Sequence, residues 1–453
     1  MRIKSDPQSY LHFVPKSSVN VVEQYRQKYE RIARLLDNSP ELLDLAHQNW
    51  IELLSTSEEG RRGFTSEQLL RALIVMFVEQ VSYRNAVIRI DNSEFLRAFV
   101  RLGLKPTMDF TFLNRAYSTL RPETVEQMTV VLRTHAITEG LITGQKQRMD
   151  TTAYETNIHY PTDSSLLCDS FLTLSRLIRC IDDAYPQLAL KHRFHDKKIK
   201  KLAIYIARNA GSRKKATQRA VKRHYVKLIK RVLWIYDVGQ QVLTKAAEMG
   251  YTVPTLEHYL PLVKRIIDQA DRRINQGEKV PSDEKLYSLF ESHTELIIRG
   301  KAGKPVEFGH KILIAQTGEK YIHYYQVMEH QVADKDLLLP AVEAHKDMFG
   351  SYPGLLSTDK GFYESMGQIE SLEENIKVVS IAKKGSRTQA EEARETTDDF
   401  IQGQHFRAGS EGTISVLKRV FNLGKCYFKG FKNYATSVGF AVLCHNLVLL
   451  TRL

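Results

Sequence analysis

Three acidic side chains stand where phosphodiester chemistry would want them. Asp150 lies in Arg148-Met-Asp-Thr-Thr-Ala-Tyr154, a run of β-formers, and Asp359 closes the run Leu355-Leu-Ser-Thr-Asp359. Glu411 sits in Arg407-Ala-Gly-Ser-Glu-Gly-Thr-Ile-Ser-Val-Leu-Lys418. Carboxylates are hard oxygen ligands that suit Mg²⁺. Two such ions about 4 Å apart activate an attacking oxygen and stabilise a leaving one. A strand end fixes ligands of this kind better than a loop does. The three acids are 209 and 52 residues apart, so only the fold can gather them.

The elements that must position them can be read from periodicity. Residues 18 to 55 read as helices, with Val21, Val22, Tyr25, Tyr29, Ile32 and Leu35 recurring every three or four positions. Thr65-Ser-Glu-Gln68 has the form of a capping box opening the helix of Leu69, Leu70, Leu73, Ile74 and Phe77. Further starts at Asn92, Asp109, Thr111 and Pro122 make residues 65 to 139 a compact bundle of short helices, compatible with a helix-turn-helix reader of DNA. A strand carrying Asp150 follows, then helices from 164 to about 290. Strands return at Lys311–Gln316 and Lys320–Val327, joined by the short link Thr317-Gly-Glu319. A helix (Asp334 to His345), the strand before Asp359, a helix (Gly361 to Glu374), a strand (Lys377 to Ala382), a charged linker and a helix from about Ser410 complete the order. The linker, Ser386 to Asp399, reads as a mobile loop.

With the long helical stretch removed, this is the order of an RNase H-like fold. That fold carries one acid on its first strand, one just past its fourth strand and one on a late helix. The expected fold class is therefore α/β: a mixed sheet with flanking helices, a helical N-terminal domain and a large helical insertion after the first strand. The boundaries are an N-terminal helical segment at 1–60, a helical bundle suited to DNA ends at 61–140, and a catalytic core of 141–160 plus 306–435. A basic insertion occupies 161–305 and a closing helix 436–453.

Charge singles out the insertion. The chain of 453 residues has 65 Lys and Arg against 52 Asp and Glu, a net charge of +13. From Lys191 to Arg231 there are 16 bases and one acid, Asp196, which leaves the remaining chain at −2. So local an excess is the electrostatic footprint of phosphate binding. Leu202, Ile204, Tyr205, Ile206, Tyr225, Leu228 and Ile229 are interleaved with it, as on helices with one apolar and one basic face. Arg213, Lys214, Lys215, Lys222 and Arg223 are the leading DNA-backbone candidates there.

Around Glu411 the spacing resembles the Arg-x3-Glu-x6-Lys part of the Tyr-Arg-Glu-Lys signature of bacterial insertion-sequence DDE transposases. On an ideal helix Arg407 and Lys418 fall within about 40° of Glu411. Met149-Asp-Thr-Thr, Thr156–Ser165, Gly303–Lys311, Thr358-Asp-Lys-Gly-Phe-Tyr363 and Phe110-Thr-Phe-Leu-Asn-Arg115 are similar to the same family, most closely its ISNCY type. The resemblance spans roughly residues 60 to 450. The signature's tyrosine falls at Gln404, a departure that leaves His405 or Phe406 as stacking substitutes.

The resemblance implies metal-dependent cleavage at element ends and transfer of the freed 3′-hydroxyl into target DNA. Asp150, Asp359 and Glu411 would hold two Mg²⁺ ions, with Mn²⁺ as a substitute. Arg407, Lys418 and, more weakly, Lys360 would position phosphates. The implied partners are double-stranded DNA, both terminal repeats and target, and further copies of the chain on that DNA. The implied setting is the cytoplasm of a bacterium or archaeon, near the nucleoid. The competing readings are a catalytically silent DNA-binding derivative and an RNase H-like nuclease that cuts without joining.

Blander roles compete residue by residue. Asp150 and Asp359 also read as turn or cap residues, and Glu411 as an acid favoured near a helix N-terminus. Glu391 and Glu395 are rival third acids without the flanking Arg and Lys. Tyr154, Tyr160 and Tyr363 suit packing as well as base stacking. The 15 histidines form no H-E-x-x-H set. Cys168, Cys180, Cys426 and Cys444 are scattered, against a disulfide framework or a zinc ribbon. The N-terminus has no apolar signal region. Phe440 to Leu450 is too short to span a bilayer and reads as a buried closing helix, so no membrane partner is expected.

Overall fold

The computed structural model describes residues 2–6, 17–54, 63–301 and 303–453, without the side chains of residues 299–301. Parts of the expected N-terminal segment 1–60 thus lie outside the described residues. The chain forms two compact units: Met1–Glu155 with Lys311–Leu453, and Thr156–His310.

Among the described residues the first unit opens with the helices α1 (Asn20–Asn38), α2 (Pro40–Leu53), α3 (Ser66–Val78), α4 (Tyr83–Asp91), α5 (Glu94–Val100), α6 (Phe110–Thr119) and α7 (Pro122–Thr138). α3 is buried along its whole length. Its capping box is complete: the Gln68 amide donates to Thr65 Oγ1 (3.2 Å) and the Thr65 amide to Gln68 Oε1 (3.0 Å). Two orphan donors are thereby satisfied at a buried helix start. Arg71 is tolerated inside this helix because Glu67 (3.1 Å) and Asp37 (2.5 Å) pair with it.

Strand β1 (Lys146–Thr156) follows, and the chain then enters the second unit. That unit holds α8 (Asp163–Ala184), α9 (Asp196–Asn209), α10 (Lys215–Glu248) and α11 (Pro254–Asp271) around Phe171, Ile199, Ile206, Leu228, Val232 and Val263. It ends in β2 (Glu295–Lys301), antiparallel to the first part of β3 (Lys304–Thr317).

From Lys311 the chain belongs again to the first unit. β3 pairs antiparallel with β4 (Ile322–Val327). A short 3₁₀ turn at Asp334–Leu337 leads into α12 (Leu338–Phe349). β5 (Leu355–Thr358), α13 (Met366–Glu373), β6 (Val378–Ile381), α14 (Gln389–Glu395), α15 (Asp398–Val420), the two-residue β7 (Lys425–Cys426) and α16 (Phe431–Leu450) complete it.

The strand order in this unit is β4-β3-β1-β5-β6, with β1–β5 and β5–β6 parallel, and β7 also pairs with β1. The sheet is mixed and its two faces bury different partners. Ile312 and Ile314 join the core of the N-terminal helices and α16, whereas Leu313, Ala315, Met149 and Leu356 pack with α12 and α13. This is the period-2 alternation of a strand covered on both faces. α16 has the length and composition of a membrane span, yet it is buried nearly throughout and packs on α7 and α3.

Two expectations about elements are revised, and two strands are added. The helix carrying Glu411 begins at Asp398, not near Ser410: the Thr397 hydroxyl accepts from the Phe400 amide (3.4 Å), and Asp398 and Asp399 occupy the first turn. The expected loop 386–399 contains α14, with a capping box between Thr388 and Glu391. β2 and β7 went unread because each is short or bulged.

Candidate active site

The register of β1 and β5 brings two of the three acids together. Their last paired residues are Met149 and Thr358, so Asp150 and Asp359 follow side by side on adjacent parallel strands, whose spacing is about 4.8 Å. Each carboxylate accepts a backbone amide just after it: Thr151 N to Asp150 Oδ1 at 2.7 Å, and Lys360 N to Asp359 Oδ1 at 2.8 Å. These short local bonds aim the carboxylates. Asp359 and Lys360 are exposed, and Asp150 is half-buried.

Burial drives the Asp150 carboxyl up to about 6, opposed by the Thr151 amide and by Arg407, and reinforced by the charges of Asp359 and Asp334. The site is thus a place where negative charge is crowded.

Asp334 is the acid that sequence reasoning missed. It begins the turn after β4 and accepts from the Thr151 hydroxyl (3.2 Å) and from Lys311 Nζ (2.8 Å). It also packs against Gly361, where a Cβ would come within 3.1 Å of Asp334 Oδ2. The segment Ala-Asp-Lys-Asp carries no signal in isolation; only the hairpin β3–β4 and the return of the chain place it beside Asp150.

α15 reaches the site by docking closely on the sheet. Ser357 Oγ donates to the Gly403 carbonyl (2.7 Å), and a Cβ at Gly403 would collide with the Ser380 side chain. Gln404, in the place of the family tyrosine, donates to the Ser380 carbonyl (2.8 Å) and is committed to structure. Arg148, two residues before Asp150, donates to the Phe406 carbonyl (2.9 Å) and lies 4.7 Å from the Phe406 ring. Phe406 is therefore engaged with Arg148, while His405 is exposed. A side chain at Gly409 would collide with that same guanidinium. Arg148 thus links the helix of Glu411 to the strand of Asp150.

Glu411 itself is 71% exposed and lies 3.8 Å from Arg407, one turn away. Arg407 is the residue that couples to both acids, through Asp150 on one side and Glu411 on the other. Its Nε is buried without a hydrogen-bond partner among the described residues. Lys418 lies two turns further along α15 and is half-buried. The oxygen donors of Asp150 and Asp359 fit a hard divalent ion. Glu411 is turned to Arg407, and no group of three His, Cys, Asp or Glu among the described residues stands assembled to hold an ion.

The rivals fall to other duties. Glu391 caps α14 and pairs with Lys383 (2.7 Å), and that lysine together with the Thr388 amide holds its carboxyl down at about 2. Glu395 accepts from the Lys383 amide (2.7 Å). Tyr154 is buried, its hydroxyl 3.1 Å from Ser437 Oγ, and Tyr363 packs beside Phe362. Tyr160 belongs to the second unit, where it meets Phe308 edge-on.

In that second unit Arg213 and Lys214 lie in the turn before α10 and Lys215 opens it; Lys222 and Arg223 stand two turns on. All five are exposed, and none pairs with a carboxylate among the described residues. Lys215, Arg219, Lys222, Arg223, Lys227 and Lys230 recur at helical spacing and form one cationic stripe.

Residues 18–119, which span α1 to α6, match the family model described as a transposase domain (DUF772). The match covers less than a quarter of the chain, and it supports a transposase family and a DNA-acting enzyme. No curated protein and no solved structure matches the chain.

Proposed function

We propose that this protein is a DDE-type transposase of the ISNCY kind, with an RNase H-like core, that cuts at insertion-sequence ends and joins the freed 3′-hydroxyl to target DNA. The observation that carries this reading is the placement of Asp150 and Asp359 just past the paired ends of two adjacent parallel strands. The strand order β4-β3-β1-β5-β6 supports the same reading, as does the transposase-domain match at 18–119. In this proposal the N-terminal bundle reads element ends, the insertion holds DNA backbone, and two copies of the chain act together so that both ends are cut in concert. It works in the cytoplasm.

Asp150, Asp359 and Glu411 would hold the Mg²⁺ ions, which supply charge neutralisation and an activated oxygen when bound. The chain's own residues do the remainder. Arg407, whose buried Nε lacks a hydrogen-bond partner among the described residues, and Lys418 orient the scissile phosphate. Lys360 presents its ammonium beside Asp359. The Arg148 clamp ties α15 to β1, and so fixes the helix of Glu411 and Arg407 relative to the strand of Asp150.

The exposed Glu411–Arg407 pairing favours one second reading, a silent DNA-binding derivative. A Mg²⁺-dependent cleavage and joining assay on the DNA flanking the gene separates the two. The proposal expects Asp150→Ala, Asp359→Ala and Glu411→Ala each to lower strand cleavage by roughly a thousandfold or more at unchanged DNA affinity. Unchanged cleavage in any one of them removes that residue from the set, and no cleavage by the wild-type chain leaves the silent reading standing.

A further inference from the structure

The second unit contains a groove of about 900 Å³ between α9 and α10. The two helices are joined by a short turn and pack against each other. From α9 it is lined by Lys198, Lys201, Leu202 and Tyr205; from α10 by Lys227, Lys230, Arg231 and Trp234. Both sets have the same spacing, i, i+3, i+4, i+7, which puts each on one helix face. Each run begins in cations and ends on an aromatic ring.

No carboxylate among the described residues lines the groove. None of its five Lys and Arg pairs with a carboxylate among the described residues. Tyr205 is stacked on His224, 3.9 Å between ring centres and 16° from parallel. His224 Nδ1 lies 2.7 Å from the Ala220 carbonyl, which fixes the imidazole plane. Trp234 meets His192 and Phe194 at 80° and 56°, so neither ring stacks on the indole. About ten helical residues separate His224 from Trp234, or about 15 Å along the axis.

Cations alone would suit any phosphate backbone. A duplex keeps its bases stacked on each other and offers a protein surface mainly phosphates and groove edges. An apolar floor with aromatic planes at both ends gains nothing from that. An unpaired strand presents π faces as well as phosphates, and aromatic side chains in a cationic groove are how such strands are held. We infer that the α9–α10 groove binds an unpaired polynucleotide strand, its bases against Trp234 and the Tyr205–His224 pair and its phosphates on Lys198, Lys201, Lys227 and Lys230. The inference stands apart from the proposed cleavage reaction and survives its failure.

The protein has only two tryptophans. Trp50 is wholly buried and donates to the Ala116 carbonyl (2.8 Å), which leaves Trp234 as the responsive fluorophore. The full chain is titrated at fixed salt with an oligo-dT of about 12 nucleotides, with the matching duplex and with inorganic polyphosphate. Saturable quenching by oligo-dT that exceeds quenching by the duplex is expected. Trp234→Leu should weaken oligo-dT binding by roughly tenfold and leave duplex binding within about twofold. Trp234→Phe, which keeps a ring, should retain most of the affinity and abolish the signal. The same titration with oligo-rU tells a DNA from an RNA source by which strand binds tighter. Equal quenching by duplex or polyphosphate overturns the inference, as does oligo-dT affinity, read by anisotropy, that Trp234→Leu leaves intact.

Discussion

The surroundings of the acids in the first unit and the α9–α10 pair of the second handle charge differently. In the first, charges are answered close at hand: Arg71 by Glu67 and Asp37, Asp334 by Lys311, Glu411 by Arg407. Carboxylates crowd where the pairing of β1 with β5 stops, at Asp150, Asp359 and Asp334. In the second, α9 and α10 carry rows of cations that no carboxylate among the described residues answers. The acids are set by a sheet, which fixes direction; the cations ride on helices, which spread charge along a line. One arrangement suits chemistry at a point and the other suits holding a polyanion.

Three experiments sharpen or break that contrast. The largest effect is expected from replacing Lys222, Arg223, Lys227 and Lys230 together by alanine. DNA affinity should fall about a hundredfold at low salt, and the slope of log K against log salt should flatten by about 3.6 if each side chain neutralises one phosphate. An unaltered slope would mean that the stripe serves something other than phosphate.

Next is Gly403→Ala, which sets a methyl against Ser380 where α15 docks on the sheet. It should cost about 1–3 kcal/mol in chemical denaturation and loosen the helix of Glu411 while oligonucleotide binding by the second unit is retained. Wild-type stability in this variant would show that the close approach is not needed.

The smallest effect is an acid dependence confined to the first unit. His345 and His445 are buried, and burial lowers both to about 4. The unfolded chain takes up protons below about 6.5 that these folded imidazoles refuse, so stability is lost as pH falls from about 6.5 to about 4. His345→Gln, which can keep the donor to the Gly144 carbonyl at 3.0 Å, should flatten part of that slope in pH-dependent denaturation. An identical slope would assign the acid sensitivity to other groups.

What could be read from the amino acids follows a simple division. Local signals were legible: the Thr65–Gln68 box, the hairpin around Gly318 and the strand before Asp359 all depend on neighbours in sequence. Gly403 and Gly409 lie inside α15, and the close docking of that helix on Ser380 and Arg148 accounts for both, which no local signal announces. Asp334 and Lys311 were invisible for the opposite reason, since their meaning arises from contacts across 23 residues of chain and with Thr151. The pairing of Asp150 with Asp359 was legible as strand order, and the register supplied the rest.

The first unit is assembled from both sides of the second in sequence, and α16 sits in the middle of its core, against α7 and α3. A ribosome therefore delivers the second unit as one uninterrupted stretch that can fold while synthesis continues. The N-terminal helices must wait, with apolar faces uncovered, until residues 431–450 emerge. Any premature stop before that helix removes the keystone of the first unit rather than trimming its edge, and leaves the sequence of the cationic second unit intact.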